Sequence, residues 1–203
     1  VIKANYRVDP PSFDTHNATS GGHNVTNDKM YSNLVWNSDG DIIEPDAAES
    51  YELSADGLTW TFVLRPNVRF QSYPDSDIPG PRDGTLMTAA DVKYSMEKIM
   101  GLVDGVVSAR SGWMKEFVDI DREDFGLEVV DDRTIKFHLT QPFAGLANVL
   151  AIGFSGLYPE GTTRDMLSGD RPFGSGPFQL VEHQRGALWV WVPNKDYFKP
   201  GIP

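Results

Sequence analysis

An α/β protein with mixed sheets is predicted from three features of the sequence. Turn residues mark three β-hairpins, amphipathic helical stretches lie between them, and a glycine–proline corner, Pro172-Phe173-Gly174-Ser175-Gly176-Pro177-Phe178, precedes the last hairpin. Hairpins interleaved with helices separate this pattern from a pure β-sandwich. The corner predicts a rigid change of direction between packed units, because proline restricts its own φ and its predecessor while glycine supplies freedom.

Composition narrows the function classes. At 203 residues the chain can bury a core as one domain or two small ones, and 40% hydrophobic with 23% charged residues is ordinary for a globular protein. Its 29 acidic against 18 basic residues give a net charge of −11. That balance argues against nucleic acid or an anionic membrane as partner, since both need clustered Lys and Arg. The absence of cysteine excludes disulfides, thiolate zinc sites and cysteine nucleophiles. No apolar run reaches the roughly 18 residues that a membrane span needs, so no direct span is expected. The sequence opens in a strand-like segment, Val1 to Tyr6, with no visible signal peptide, and reads as a mature or trimmed product.

Taken in order, Val1–Val8 reads as a strand that runs into the turn-rich Asp9-Pro10-Pro11-Ser12-Phe13-Asp14. The small polar stretch His16 to Asn24 follows, with Asn24 placed to cap a helix over Val25–Trp36. Asn37 to Asp41 is a turn. Ala48–Leu53 and Leu58–Leu64 form the first hairpin across Ser54-Ala55-Asp56-Gly57, and alternation of Leu58, Trp60, Phe62 and Leu64 marks a half-buried strand. Residues 71–87, with three prolines and two glycines, are a long loop. Thr88-Ala89-Ala90-Asp91 opens a helix whose apolar stripe is Val92, Ser95, Met96 and Ile99. Gly101–Gly112 reads as loop, and Trp113–Ile120 fits either helix or strand. Phe125–Val130 and Thr134–Leu139 make a second hairpin. Pro142 suits a helix start, giving Phe143 to about Ala151, and a short helix follows at Arg164–Leu167. Phe178–Glu182 and Ala187–Val192 make the third hairpin.

No catalytic constellation emerges from the residues. Glu116, Asp119, Asp121, Glu123 and Asp124 cluster as a solvated loop would, without the glycine and spacing of a calcium loop. His16, His23, His138 and His183 are too scattered for metal-ligand spacing, and Gly174-Ser175-Gly176 is neither a nucleophile elbow nor a phosphate loop. No cofactor is expected.

The order of blocks resembles the family 5 extracellular solute-binding proteins, the substrate-binding subunits of peptide, nickel and some sugar ABC transporters. The blocks are Asp9-Pro10 with Phe13-Asp14; Tyr31 to Val35; Glu44 to Tyr51; Ser54-Ala55-Asp56-Gly57-Leu58-Thr59-Trp60-Thr61-Phe62-Val63-Leu64-Arg65; Thr88 to Ser95; Phe173 to Phe178; and Asn194 to Phe198. One departure is the long proline-rich link from Phe70 to Thr88, where the family has a short turn. The other is length, since family members commonly run to more than twice this size.

The resemblance implies a type II periplasmic-binding-protein fold, present as a partial lobe I with an inserted small α+β subdomain. Residues 1–43 would be the first part of lobe I, 44–171 the inserted subdomain and 172–203 the return to lobe I. It implies non-covalent capture of a solute, most often a peptide, in the periplasm or outside the cell, with the full-length protein free or lipid-anchored there. The parent would deliver its ligand to an ABC permease, with no enzymatic step. Ligand contacts are expected from His16, Asn17, Ser20, Gly21 and His23 in the loop before the first long helix, and from Gly153, Phe154 and Ser155 after the Phe143 helix. Trp113 and Tyr73 are expected to be core or surface residues. The alternatives are a glycan-acting hydrolase using carboxylates and a ligand-sensing signalling module.

Overall fold

The structure is a computed structural model that describes residues 2–4, 12–17, 19, 29–40, 42–73, 80–103, 108–168 and 171–201. In chain order the elements are β1 (Ile2–Ala4), β2 (Val35–Asp39), β3 (Ile42–Pro45), β4 (Ala48–Leu53), β5 (Thr59–Leu64), α1 (Ala89–Met100), α2 (Ser111–Phe117), β6 (Leu127–Val129), β7 (Thr134–His138), α3 (Leu146–Leu150), a 3₁₀ turn (Gly153–Ser155), α4 (Arg164–Leu167), β8 (Phe178–Gln184) and β9 (Leu188–Pro193). They make a three-stranded sheet ordered β1-β9-β8, a two-stranded sheet β2-β3 and a four-stranded sheet β4-β5-β7-β6, with every neighbouring pair antiparallel.

The first hairpin forms where its turn chemistry predicts. Asp56 Oδ1 accepts from the Ser54 hydroxyl at 2.6 Å and the Leu58 N–H at 3.0 Å, and Gly57 takes the left-handed φ of +74° that closes the turn. Trp60, Phe62 and Leu64 then point inward along β5 and meet Ile135 and Phe137 of β7, in the register Phe62↔Ile135 and Trp60↔Phe137. Each fully buried side chain of this kind contributes about 1.5–3 kcal/mol.

Helix α1 lays Val92, Met96, Ile99 and Met100 into the same core, joined by α2 through Met114 and α3 through Leu146 and Leu150. Its start is fixed by Asp91, whose Oδ2 accepts from the Thr88 backbone N–H at 2.7 Å and the Thr88 hydroxyl at 2.9 Å. Arg82 from the long loop pairs with the same carboxylate at 2.8 Å. A second core gathers Phe13, Met30, Tyr31, Tyr158, Leu167, Phe173, Leu180, Trp189 and Trp191 around the three-stranded sheet.

Three expectations are corrected. The helix expected over Val25–Trp36 does not reach its expected end: Lys29 and Met30 are helical, but Val35 and Trp36 begin β2 and pair with Pro45 and Glu44. A β-branched and an aromatic residue beside a turn at Gly40 (φ +65°) favour strand pairing over a last helical turn. Gly112 belongs to α2 rather than to a loop, and the helix expected from Phe143 starts only at Leu146, with the Phe143 N–H and C=O both engaged by the 57–60 turn and strand.

The glycine–proline corner owes its glycines to close approach. The Gly176 N–H donates to Met30 O at 2.9 Å, Gly174 O accepts from the Gln71 N–H at 2.8 Å, and Asn194 Nδ2 and Gln71 Nε2 both donate to Gly176 O. Neither glycine has a positive φ. A Cβ on Gly174 would overlap the Met30 carbonyl oxygen, and one on Gly176 would lie 2.7 Å from Lys29 O. The corner is the seam that ties segments 29–31, 71 and 194 together.

Candidate functional site

The loop of residues 12–17 is built around one buried carboxylate. Asp14 accepts from the His16 N–H at 3.1 Å and from Asn17 Nδ2 at 2.8 Å, which folds the loop back on itself. Lys98, in the last turn of α1, places its ammonium 3.4 Å from Asp14, and both side chains are almost wholly buried, 1% and 2% exposed. Burial pushes the Asp14 carboxyl up, but the His16 imidazolium that forms only in acid, the Lys98 ammonium and the hydrogen bonds from Asn17 and Lys98 outweigh it and hold the group below its ordinary range.

The same loop is tied to residues 156–158. Tyr158 hydroxyl accepts from the Thr15 N–H at 2.6 Å and lies 2.8 Å from Thr15 Oγ1. His16 Nε2 lies 2.8 Å from Gly156 O, and because a carbonyl can only accept, this nitrogen carries the proton. The His16 ring rests on Tyr158 with centroids 4.4 Å apart, and the His16 carbonyl accepts from the Ser108 hydroxyl at 2.6 Å. Gly156 leaves room for this contact, since a Cβ there would lie 3.1 Å from Tyr31 and 3.2 Å from Thr15 Oγ1.

His16 is fully buried, and desolvation pushes its imidazole down to about 4 despite the opposing pull of Asp14 and the Gly156 carbonyl. The unfolded chain therefore takes up this proton near pH 6.5 while the folded chain does not. Stability from a neutral His16 is present above pH 6.5 and is lost as pH falls toward 4, amounting to about 2 kcal/mol by pH 5. A His16→Gln variant, which can still donate to Gly156 O, is expected to flatten urea-unfolding stability between pH 7.5 and 5. A slope equal to that of the parent chain would show that His16 protonates without unfolding.

The second predicted segment presents a different surface. Phe154 is buried, with the Arg110 guanidinium 4.3 Å above its ring and Trp113 edge-on at 5.3 Å. Ser155 is buried and its hydroxyl donates to Val149 O at 3.3 Å. Gly153 is half-buried, while Ile152 and Trp113 are each 44% exposed. Asn33 Nδ2 anchors the segment from below through Ile152 O at 3.2 Å.

Of the sequence-predicted residues, then, His16 is an internal support, Asn17 is partly exposed beside it, and Gly153, Phe154 and Ser155 form the neighbouring turn, joined to the loop through the His16–Gly156 bond. Ser20, Gly21 and His23 lie outside the described residues. The sequence reading passed over the supports Asp14, Lys98 and Tyr158, which are joined across the chain by bonds 84 to 145 residues apart. Trp113, read as core or surface, is a surface residue 44% exposed, with its ring edge-on to Phe154.

A concavity of about 800 Å³ lies elsewhere, between β2–β3 and residues 197–200. Its polar floor is already satisfied: Asp46 pairs with Lys199 at 2.6 Å and accepts from the Asn33 N–H at 3.0 Å. Burial raises the Asp46 carboxyl even with Lys199 and Asn33 pulling it down. Among the described residues no helix is long and apolar enough to cross a membrane.

Comparison with known proteins places these features in a family. Residues 43–203 match the model for bacterial extracellular solute-binding proteins, family 5 Middle. The chain is 30% identical over 202 residues to the probable D,D-dipeptide-binding periplasmic protein DdpA of Escherichia coli K12, covering 94% of this chain and 35% of that protein. It is 28% identical over 191 residues to heme-binding protein A of Haemophilus influenzae, covering 89% of this chain and 34% of the relative. Among solved structures, the periplasmic binding protein DppA of Helicobacter pylori, in complex with the peptide STSA, superimposes with a TM-score of 0.77 at 25% identity over 95% of this chain and 39% of that one. The chain thus spans between about a third and two fifths of these three binding proteins, and its fold is a part of the type II periplasmic-binding-protein fold. It belongs to the bacterial extracellular solute-binding proteins of family 5.

Proposed function

We propose that the chain forms part of a periplasmic receptor that captures a short peptide without chemical conversion and hands it to an ABC permease. The observation that carries this reading is the lock between the two ligand segments. The His16–Gly156 bond and the Thr15–Tyr158 bonds hold loop 12–17 beside the 153–156 turn, next to exposed apolar surface from Ile152 and Trp113. A peptide suits such a surface, because apolar and aromatic faces take side chains while loop polar groups take main-chain amides. The peptide-binding names among the relatives support the substrate class. Asn17, Gly153 and the Phe154–Trp113 edge are the proposed contacts within the described residues, positioned by His16 and Ser155; Ser20, Gly21 and His23, outside the described residues, are proposed as further ligand contacts.

The proposed organisation keeps 1–43 and 172–203 as parts of one lobe and 44–171 as the inserted unit. The four-stranded sheet comes entirely from residues 48–138, and the three-stranded sheet joins 2–4 to 178–193. Tyr158 and Leu167 pack in the second core, which supports a return toward the first lobe ahead of residue 172. In its longer form the receptor would work outside the cytoplasmic membrane, free or held there by a lipid.

The test is native mass spectrometry of the protein at its full encoded length, followed by denaturing release of whatever it carries. Co-purified peptides are the expected result. A released sugar or metal complex would overturn the substrate class while leaving a receptor, and turnover of a chromogenic glycoside would overturn the receptor itself.

A further inference from the structure

Three side chains at the outer edge of the four-stranded sheet converge in a way that the ligand site does not use. Glu128 on β6 lies opposite Lys136 of β7, so His138, two residues further along, shares its face of the sheet. His138 Nε2 is 2.7 Å from Glu128 Oε2. Asp124 joins them from the tight turn before β6, and one donor atom from each of the three lies within 4.8 Å of the other two.

The frame under this cluster is firm. The turn runs through Phe125 (φ +55°) and Gly126 (φ +72°), and the Gly126 N–H donates to Asp124 Oδ1 at 3.0 Å. The His138 N–H donates back to Gly126 O at 2.8 Å. Gly126 sits so close to its neighbours that a Cβ would lie 2.8 Å from Val118 and 2.9 Å from Asp119 O. The backbone positions of Asp124, Glu128 and His138 are therefore set by the sheet and its packing before any ion arrives.

We propose that Asp124, Glu128 and His138 form a binding site for a divalent transition-metal ion, with Zn²⁺ the best match. One imidazole nitrogen and two carboxylate oxygens are a donor set for borderline metals, whereas Mg²⁺ and Ca²⁺ favour all-oxygen shells. Metal–ligand bonds of about 2.0–2.2 Å in a tetrahedron separate the donors by roughly 3.3 Å. The His138–Glu128 pair needs to open slightly and Asp124 to close, which half-buried carboxylates accomplish by side-chain rotation. A fourth position faces solvent and would hold water. Arg122 already pairs with Asp124, at 3.0 Å to Oδ1 and 3.1 Å to Oδ2. With Gly126 N–H also on Oδ1, this leaves one lone pair, on Oδ2, for a metal, and the Arg122 charge lowers affinity.

The test is calorimetric titration of the purified chain with ZnCl₂ in the presence of excess Mg²⁺, together with anomalous diffraction at the zinc edge. One equivalent of Zn²⁺ bound despite Mg²⁺, with an anomalous peak between the three side chains, is expected. His138→Ala and Glu128→Gln are each expected to weaken binding at least about tenfold. Both side chains are part-exposed, and an unchanged metal-free melting temperature shows that the fold is kept; Glu128→Gln serves if His138→Ala does not fold. Absence of stoichiometric binding, unchanged affinity in the folded variants, or a peak elsewhere would overturn the site. None of these results depends on whether the protein carries a peptide.

Discussion

Lys98→Met is expected to destabilise the chain by about 3–5 kcal/mol at neutral pH, the cost of leaving a buried carboxylate without its counter-charge. The ammonium and Asp14 are 1% and 2% exposed, so neither group can recover its loss from water. Asp14 keeps its hydrogen bonds from the His16 N–H and Asn17, but with a neutral imidazole beside it the negative charge has only Lys98 to balance it. The pH dependence follows from the depressed Asp14 pKa. Its contribution is fully present above the ordinary carboxylate range and is lost as pH falls through the folded value, so the gap between parent and variant narrows in acid. Removing both charges with Asp14→Asn and Lys98→Met together is expected to cost less than the sum of the single changes. Urea denaturation of the four proteins measures this cycle. A Lys98→Met loss under about 1 kcal/mol would mean that Asp14 reaches solvent and that the pair does not hold the loop.

Gly174→Ala is expected to cost about 3 kcal/mol or more, because the added methyl meets main chain rather than a movable side chain. It would overlap the Met30 carbonyl oxygen and press on Tyr31 Cδ1 at 2.7 Å. Relief requires the seam to part, which breaks the Gly176 N–H bond to Met30 O and the Gln71 N–H bond to Gly174 O. Gly112→Ala is the matched control: it lies in α2 with nothing within 4 Å of a built Cβ, and is expected to be neutral or to stabilise by up to about 1 kcal/mol. Thermal unfolding separates the two, and similar melting temperatures would show that the corner yields.

What could be read from the sequence was whatever neighbouring residues settle among themselves. The Ser54–Gly57 turn and the Thr88–Asp91 helix start are complete within a few positions, and both formed where expected. The strand at Val35 was misread as the end of a helix capped at Asn24 because its determinant is pairing with residues 42–45. The Gly174 corner was recognised, but its cause was placed in backbone angles; it lies in the approach of Met30, more than 140 residues away in sequence. The candidate site came from block resemblance rather than from periodicity. Its supports, Asp14–Lys98 and Thr15–Tyr158, stayed hidden because single polar residues carry no signal of distant partners. Likewise the scattered histidines gave no metal spacing, yet sheet register sets His138 beside Glu128.

The pairing of β1 with β9 has a consequence for the order of assembly. Ile2 faces Trp191, whereas Leu53 faces Trp60 across the first hairpin. Closing a loop of nearly 190 residues instead of seven costs about 3 kcal/mol more chain entropy, from 1.5RT times the logarithm of their ratio. The four-stranded sheet can therefore nucleate before the three-stranded sheet closes, and β1 must wait unpaired until β9 is available. An exposed, unclaimed strand during that interval is a target for chaperones and for neighbouring copies, so the yield of folded protein should respond to changes in β9 more than to changes in the first hairpin.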